Sequence, residues 1–335
     1  MVSWTRIPDD EAARTWDRDL ERFPERSFMQ GFGWGQYKAG QGWSPVRAAA
    51  RDGHGSVVGM VQALVRRYVG GFAIVWCPGG HAGPIELWNA GLVAALAQSV
   101  AARHVYCRVT FTRPVTDADA DRLRSLGWTK PSRSVSAPRT LVWDLTPTEE
   151  AMMAALSGNW RHNLHRALRR NLRVVQWTDP PASAVAPLFD AMAAYKQLDM
   201  PFDPAAFGAL AGNMSGRTLI YACENDAGTP VAVRGCVIDG KTASDLIAAT
   251  SPEGRRCYAS YAVLWALIRG CRARDVDAYD LGGADPVAAP GVYAFKRGTG
   301  AREQHQLGEW EWSTSRLLAR VVNLRIRLSR RAALA

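Results

Sequence analysis

"VRAAARDGHGSVVGMVQALVRR", residues 46–67, alternates apolar and polar positions on either side of an Asp-Gly turn, so it reads as strand, turn, strand. A second stretch, "LIYACENDAGTPVAVRGCVID" at residues 219–239, reads the same way. The elements after each hairpin decide the fold. After the first come the buried strand "FAIVWCPGG", a helix over about 86–103, and the strand "VYCRVTF" from 105. After the second come the strand "TASDLIAAT", a helix over about 257–273, and "VDAYDLGG" from 276. Equivalent points lie 171 to 173 residues apart, although the two halves share almost no residue identities. An order of elements that repeats without the sequence repeating argues for two α/β (α+β) domains of like fold, each a mixed twisted sheet flanked by helices.

Working outward, the first domain is expected over 1–145 and the second over 146–312, with a helix over 313–335 completing the first. A length of 335 residues suits two domains of roughly 100–200 residues each. The second domain opens on "LTPTEEAMMAALSGNWRHNLHRALRRNL", which has Thr146 or Thr148 as N-cap, acids in the first turn and arginines towards the end. Pro180 and Pro181 break that pattern before helices over 182–198 and 203–213.

An apolar fraction of 47% is enough for a sizeable core and excludes bulk disorder. The formal charge of +10 is concentrated. Residues 159–173 carry five arginines and 313–335 carry six, with no acid in either, so the rest of the chain sums to about −1. The six cysteines form no CxxC pair and sit mostly in apolar runs, so disulfides are not implied. The first twenty residues have no basic-then-apolar signal pattern and no run approaches 18 apolar residues, so a cytoplasmic protein is expected.

Four stretches carry candidate chemistry. "GVYAFKRGTG" sets Lys296 between Phe295 and the glycines 298 and 300, which allow close backbone approach to a ligand. "YDLGG" puts Asp280 at the carboxyl end of a strand, where it can handle an amine proton or cap the next turn. "WGQYKAGQGW" sets Lys38 among Trp34, Tyr37 and Trp43. In "NWRHNLHRALRRNLR", Leu164, Leu168 and Leu172 line one helical face, surrounded by Arg161, Arg166, Arg169, Arg170 and Arg173, as a phosphate-backbone contact would require. His162 and His165 have no cysteine or acid nearby to complete a ligand set, so no metal is expected. The C-terminal segment has Leu317, Val321, Leu324 and Leu328 on one stripe and Arg316, Arg320, Arg327 and Arg331 on another. It suits either packing on the first domain or contact with anionic lipid or RNA.

Together with "SFMQGFGWGQYKAGQGW", these stretches resemble, in order and over nearly the whole chain, the FemABX family of aminoacyl-tRNA-dependent peptidyltransferases of peptidoglycan bridge formation. The resemblance implies two tandem GNAT-like domains and transfer of an aminoacyl group from aminoacyl-tRNA to a peptide amine, with the tRNA as co-substrate and no other cofactor. It implies that Lys296 stabilises the tRNA end and the developing oxyanion, that Phe295 shapes that pocket, and that Asp280 orients or deprotonates the amine. Lys38, with Trp34, Tyr37 and Tyr293, would meet the acceptor, Lys38 through its phosphates. The arginines of 161–173 would contact tRNA, and the chain is expected to act as a monomer; the expected contact of 313–335 with an anionic membrane comes from that segment's own basic amphipathic pattern.

Two departures stand out. Where many members have an acid before a proline after the strand matching "VYCRV", this chain has Arg113 before Pro114, and "LDMPFDPAAF" at 198–207 offers no arginine for a sugar nucleotide. The acceptor is therefore either a peptidoglycan precursor or a peptide natural-product scaffold. A CoA-dependent N-acyltransferase is an alternative, although "TSPEGRRCYAS" has an acid, Glu253, in its pyrophosphate loop and lacks the second small residue. A non-catalytic RNA- or membrane-binding protein is another.

Overall fold

The structure, a computed structural model, describes residues 2–80, 82–170, 172–196 and 203–332. It divides into two compact units, Met1–Pro138 with His305–Ala335, and Arg139–Gln304. Along the chain the first unit contributes β1 (Ser3–Ile7), α1 (Asp9–Leu20), α2 (Phe32–Ala39), β2 (Ser44–Arg51), β3 (Val57–Tyr68) and β4 (Phe72–Pro78). It continues with α3 (Ala90–Val100), β5 (His104–Pro114) and α4 (Asp117–Ser125). The second unit begins with β6 (Arg139–Asp144), α5 (Glu149–Ala155), α6 (Gly158–Leu168), β7 (Arg173–Trp177), α7 (Ala182–Lys196) and α8 (Pro204–Asn213). Then come β8 (Thr218–Glu224), β9 (Pro230–Asp239), β10 (Thr242–Thr250), α9 (Pro252–Arg256), α10 (Ala259–Arg272), β11 (Ala278–Gly283) and α11 (Pro290–Arg297). β12 (Arg302–Ser313) and α12 (Arg316–Ala332) close the chain.

The units repeat one strand order. In the first it is β1-β2-β3-β4-β5-β12, in the second β7-β8-β9-β10-β11-β6. Within each, four antiparallel strands are followed by a fifth parallel to the fourth, and the sixth is antiparallel to the fifth. The parallel pair needs a crossover helix, which is α3 in the first unit and α10 in the second.

Local chemistry explains the turns. In the β2–β3 hairpin the Asp52 carboxylate accepts from the backbone N–H of His54 and of Ser56, both at 2.9 Å, while Gly55 takes φ +83°. α1 buries Ala12, Trp16 and Leu20 at helical spacing and opens on Asp9, Asp10 and Glu11, the charge its dipole favours. The first unit's core stacks Trp88 edge-on against Trp128 and Phe111, and the Trp128 indole donates to Trp88 O at 2.7 Å. The second is centred on Trp143, Trp160, Trp265 and Tyr279.

Three readings need correction. β6, assigned from sequence to the first domain, is hydrogen-bonded to β11 of the second unit, while Gly308–Ser313 of β12, assigned to the second, pair with β5 of the first. The segment opening the second unit is two helices, not one. Thr148 caps α5 by accepting from Ala151 N at 3.2 Å, and Ser157 caps α6 by accepting from Trp160 N at 3.3 Å. The buried face of α6 is Trp160, Leu164 and Ala167, whereas Leu168 is exposed because the helix ends there. The reading of a helix to 198 and of residues 198–202 falls partly outside the described residues.

Candidate active site

β10 and β11 run parallel for three residue pairs, Thr242–Ser244 against Ala278–Asp280. Both strands then lose regular register, β10 between Asp245 and Ile247 against β9, β11 between Asp280 and Gly283 against β6. Such bulges re-aim side chains out of the alternating pattern. The residue before each irregularity is an aspartate.

Asp280 lies at the carboxyl end of β11, and its Oδ1 accepts from Thr140 Oγ1 and, at 2.8 Å, from Gly282 N. Gly282 makes that turn with φ +76°, open to glycine. Burial pushes the Asp280 carboxyl above its ordinary range, against the pull of those two hydrogen bonds and of the Lys296 charge. Lys296 is on a helix, α11, not in a turn. It is only 9% exposed, and its Nζ donates to Gly283 O at 2.8 Å. Phe295 packs against Tyr261 and Trp160, with ring centroids at 5.0 and 5.8 Å, and its carbonyl accepts from the Trp160 indole at 3.1 Å. Lys296, Phe295 and Asp280 are therefore brought together. Gly298 serves packing: a Cβ there would lie 3.0 Å from both Ser157 Oγ and Trp160 Cδ1.

Sequence reading missed a network beside them. Arg234 is buried, and its Nε and Nη2 donate to the two oxygens of Asp245 at 3.0 and 2.8 Å, a bidentate pair. Tyr279 OH donates to Asp245 Oδ1 at 2.8 Å, and the Arg234 guanidinium lies 5.7 Å from the Phe295 ring centre. The available signal was one charge in the interior of each of two apolar strands, Arg234 in "PVAVRGCVID" and Asp245 in "TASDLIAAT". Pairing sets Asp245 opposite Cys236, two residues from Arg234 on the same face of β9, so the long arginine side chain reaches the aspartate as a diagonal neighbour.

The other predicted residues have varied surroundings. Tyr293 OH donates to Glu303 at 3.0 Å, and Arg139 holds the other oxygen of Glu303 at 2.8 Å, so this tyrosine has an internal partner. Arg169 and Arg170 are exposed. Arg161 reaches back to Leu156 O at 3.4 Å, Arg166 lies over the Tyr258 ring at 4.4 Å, and Arg173 is ion-paired with Glu224. In the first unit Lys38 Nζ donates to Gln41 at 2.8 Å and lies 4.9 Å from the Trp34 ring and 4.7 Å from that of Tyr37. Burial, then the nearby Arg66 charge, lowers its pKa. Among the described residues no group of three His, Cys, Asp or Glu could hold a metal ion.

The loop that would hold a pyrophosphate is folded as a helical turn. Ser251 Oγ accepts from Gly254 N at 3.0 Å, and Glu253 accepts from Asn225 at 2.9 Å. Gly254 is tightly enclosed, since a Cβ there would lie 2.2 Å from Val231 O. Chemically, a buried ammonium beside a carboxyl raised by burial, in aromatic surroundings, can stabilise developing oxyanion charge and take up a proton.

Comparison with known proteins agrees with this construction. Residues 158–297 match the family description of an acetyltransferase (GNAT) domain. The crystal structure of FemX aligns over 96% of this chain and 100% of its own, at 15% identity and a TM-score of 0.82. A tandem GNAT protein from the clavulanic acid biosynthesis pathway aligns over 94% of this chain and 99% of its own, at 15% identity and a TM-score of 0.58. The C-terminal domain of a lysylphosphatidylglycerol synthetase from Agrobacterium fabrum aligns over 92% and 95%, at 13% identity and 0.55. No curated protein matches the chain in sequence. By fold the chain is a tandem of two GNAT-like units similar to FemX, and its residues 158–297 match the acetyltransferase (GNAT) domain.

Proposed function

We propose that this GNAT-fold acyltransferase moves an aminoacyl group from aminoacyl-tRNA to the amine of a peptide acceptor, a peptidoglycan precursor or a peptide natural-product scaffold. The observation that carries the reading is Lys296, a buried ammonium beside Asp280 at the carboxyl end of β11. The fold likeness to FemX and the FemABX-like motifs support the donor. In the proposed reaction the acceptor nitrogen attacks the ester carbonyl. A C–N bond forms, the C–O bond to the tRNA ribose breaks, and the amine proton ends on that ribose oxygen. Lys296 offsets the negative charge that develops on the carbonyl and leaving oxygens, and Asp280 carries the proton between nitrogen and oxygen. Arg234, fixed by its bidentate pair with Asp245, lies against Phe295 and holds that wall of the site. The exposed arginines of α6 and its carboxyl end contact tRNA phosphates, and Lys38 meets phosphate on the acceptor.

A second reading, CoA-dependent N-acylation, has the GNAT domain match in its favour. One experiment separates the two. Purified protein is incubated with labelled aminoacyl-tRNA and an extract of peptides and cell-wall precursors, and in parallel with acetyl-CoA and a thiol reporter. Label in an RNase-resistant amide, reduced at least about 100-fold by Lys296→Ala, is the expected result. Thiol release with the tRNA left charged would replace the donor by CoA.

A further inference from the structure

Helix α12 has two apolar stripes, and only one of them is packed. Val322 and Asn323 are buried, with Leu318, Ala319 and Ile326 partly covered on the same side, and Asn323 Nδ2 donates to Glu311 of β12 at 2.8 Å. At about 100° per residue the remaining large aliphatics fall on a different sector. Leu317, Val321, Leu324 and Leu328 are 71%, 54%, 48% and 54% exposed. The packing expected of that stripe is therefore not what the structure has; its neighbours on the helix do the packing. Exposed arginines border the open stripe, Arg316, Arg320 and Arg327 on one side and Arg325 on the other, and residues 313–335 contain no acid.

A second apolar surface belongs to the same unit. In the turn joining β3 to β4, Tyr68, Val69 and Phe72 are all exposed, Val69 fully at 100%, and Arg67 and Arg103 beside them are exposed too. Phe72 stacks on His104 at 5.5 Å and pairs with it in register. The end of β5 that begins at His104 is also where β12 ends: Ser313 pairs with Tyr106, and the Ser313 hydroxyl donates to Val105 O at 3.2 Å. The turn and the start of α12 thus share one end of the first unit's sheet.

We propose that the first unit docks on the surface of an anionic phospholipid bilayer. α12 lies in the interface with Leu317, Val321, Leu324 and Leu328 at the acyl boundary and its arginines on lipid phosphates, and the 68–72 turn supplies a second apolar contact. Both halves of the surface need this occupant. RNA would engage the arginines and leave four aliphatic side chains in water, and a second copy would bring two acid-free arginine rows together. Among the described residues no helix is long and apolar enough to cross a membrane, so the contact is at the interface. Docking does not depend on the donor or acceptor, so vesicle binding and transfer activity are separable.

The test is sedimentation of the full chain with phosphatidylcholine vesicles, with and without phosphatidylglycerol, at several salt concentrations. Binding is expected only with phosphatidylglycerol and weakens with salt. Leu324→Asp with Leu328→Asp lowers it at least about tenfold without changing the melting temperature, because both side chains are exposed in the fold. Leu324→Met with Leu328→Met retains it, and Val69→Asp causes a smaller drop. Absence of wild-type binding, or binding that the aspartate pair leaves intact, overturns the proposal. So does tRNA binding in place of vesicle binding, or self-association in sedimentation velocity that the aspartate pair abolishes.

Discussion

Lys296 and Asp280 illustrate how a single residue's setting controls its chemistry. Asp280 is a carboxyl that burial disfavours as an anion, so its folded pKa stands above its unfolded value of about 3.9. Stability from this group is therefore fully present below the unfolded pKa and is lost as pH rises through the folded one. Asp280→Asn keeps an oxygen for Thr140 and Gly282 while removing the charge. Its melting temperature is expected to exceed the wild type's at pH 7, with the difference closing as pH falls below about 4. A less stable variant at pH 7 would mean that the attraction to Lys296 outweighs burial. Lys296 and Phe295 stood out in the sequence because a lysine between an aromatic and paired glycines is unusual. Their helix did not, since "PGVYAFKR" is short and bounded by glycines that also read as a turn.

Between elements, buried charge pairs tie strands that are distant in the chain. Arg108 on β5 donates through Nε to Glu309 on β12 at 2.6 Å, and the other oxygen of Glu309 accepts from Ser136 Oγ at 2.6 Å and Val135 N at 2.8 Å. Burial alone would raise the Glu309 pKa, but the Ser136 hydrogen bonds and the Arg108 charge hold it below the ordinary range. Arg108→Met would leave that carboxylate buried without its cation. Urea unfolding is expected to show a loss of about 3–5 kcal/mol, and a loss under about 1 kcal/mol would mean that Ser136 and Val135 suffice. Neither this pair nor Arg234 with Asp245 was legible beforehand. Arg108, Arg234 and Asp245 each appear in sequence as a charge inside an apolar stretch, Glu309 as one of several acids in a polar strand, and 201 residues separate Arg108 from Glu309. In α12 the pattern did reveal two faces but not which one is covered, because both stripes are aliphatic and only the neighbours of β5 and β12 decide between them.

At the scale of the whole molecule the two units differ in how the chain builds them. The second is continuous, Arg139–Gln304, with all six of its strands inside that span. The first borrows its sixth strand and a helix from the chain's end. A fragment 139–304 is therefore expected to unfold in one cooperative urea transition, and 1–138 to show none, having lost β12 along β5 and Glu309 from Arg108. Gln306 N donates to Pro138 O at 3.0 Å, so joining 305–335 to 1–138 through a short linker should restore cooperative unfolding. Failure of that rejoined chain would locate the missing stabilisation elsewhere.

The sequence by itself determined the repeated order of strands and helices, because hairpin turns, alternation and helical spacing are local and survive when residue identities do not. It also marked Lys296, between an aromatic and paired glycines, and Asp280, at the carboxyl end of a strand before two glycines. Only the tertiary structure decided which unit owns β6 and β12, that Arg234 reaches Asp245 diagonally between β9 and β10, and which stripe of α12 stays open. These rest on hydrogen-bond pairing and burial between segments far apart in the chain, where pairing register and the covering neighbour, not the local pattern, set the outcome.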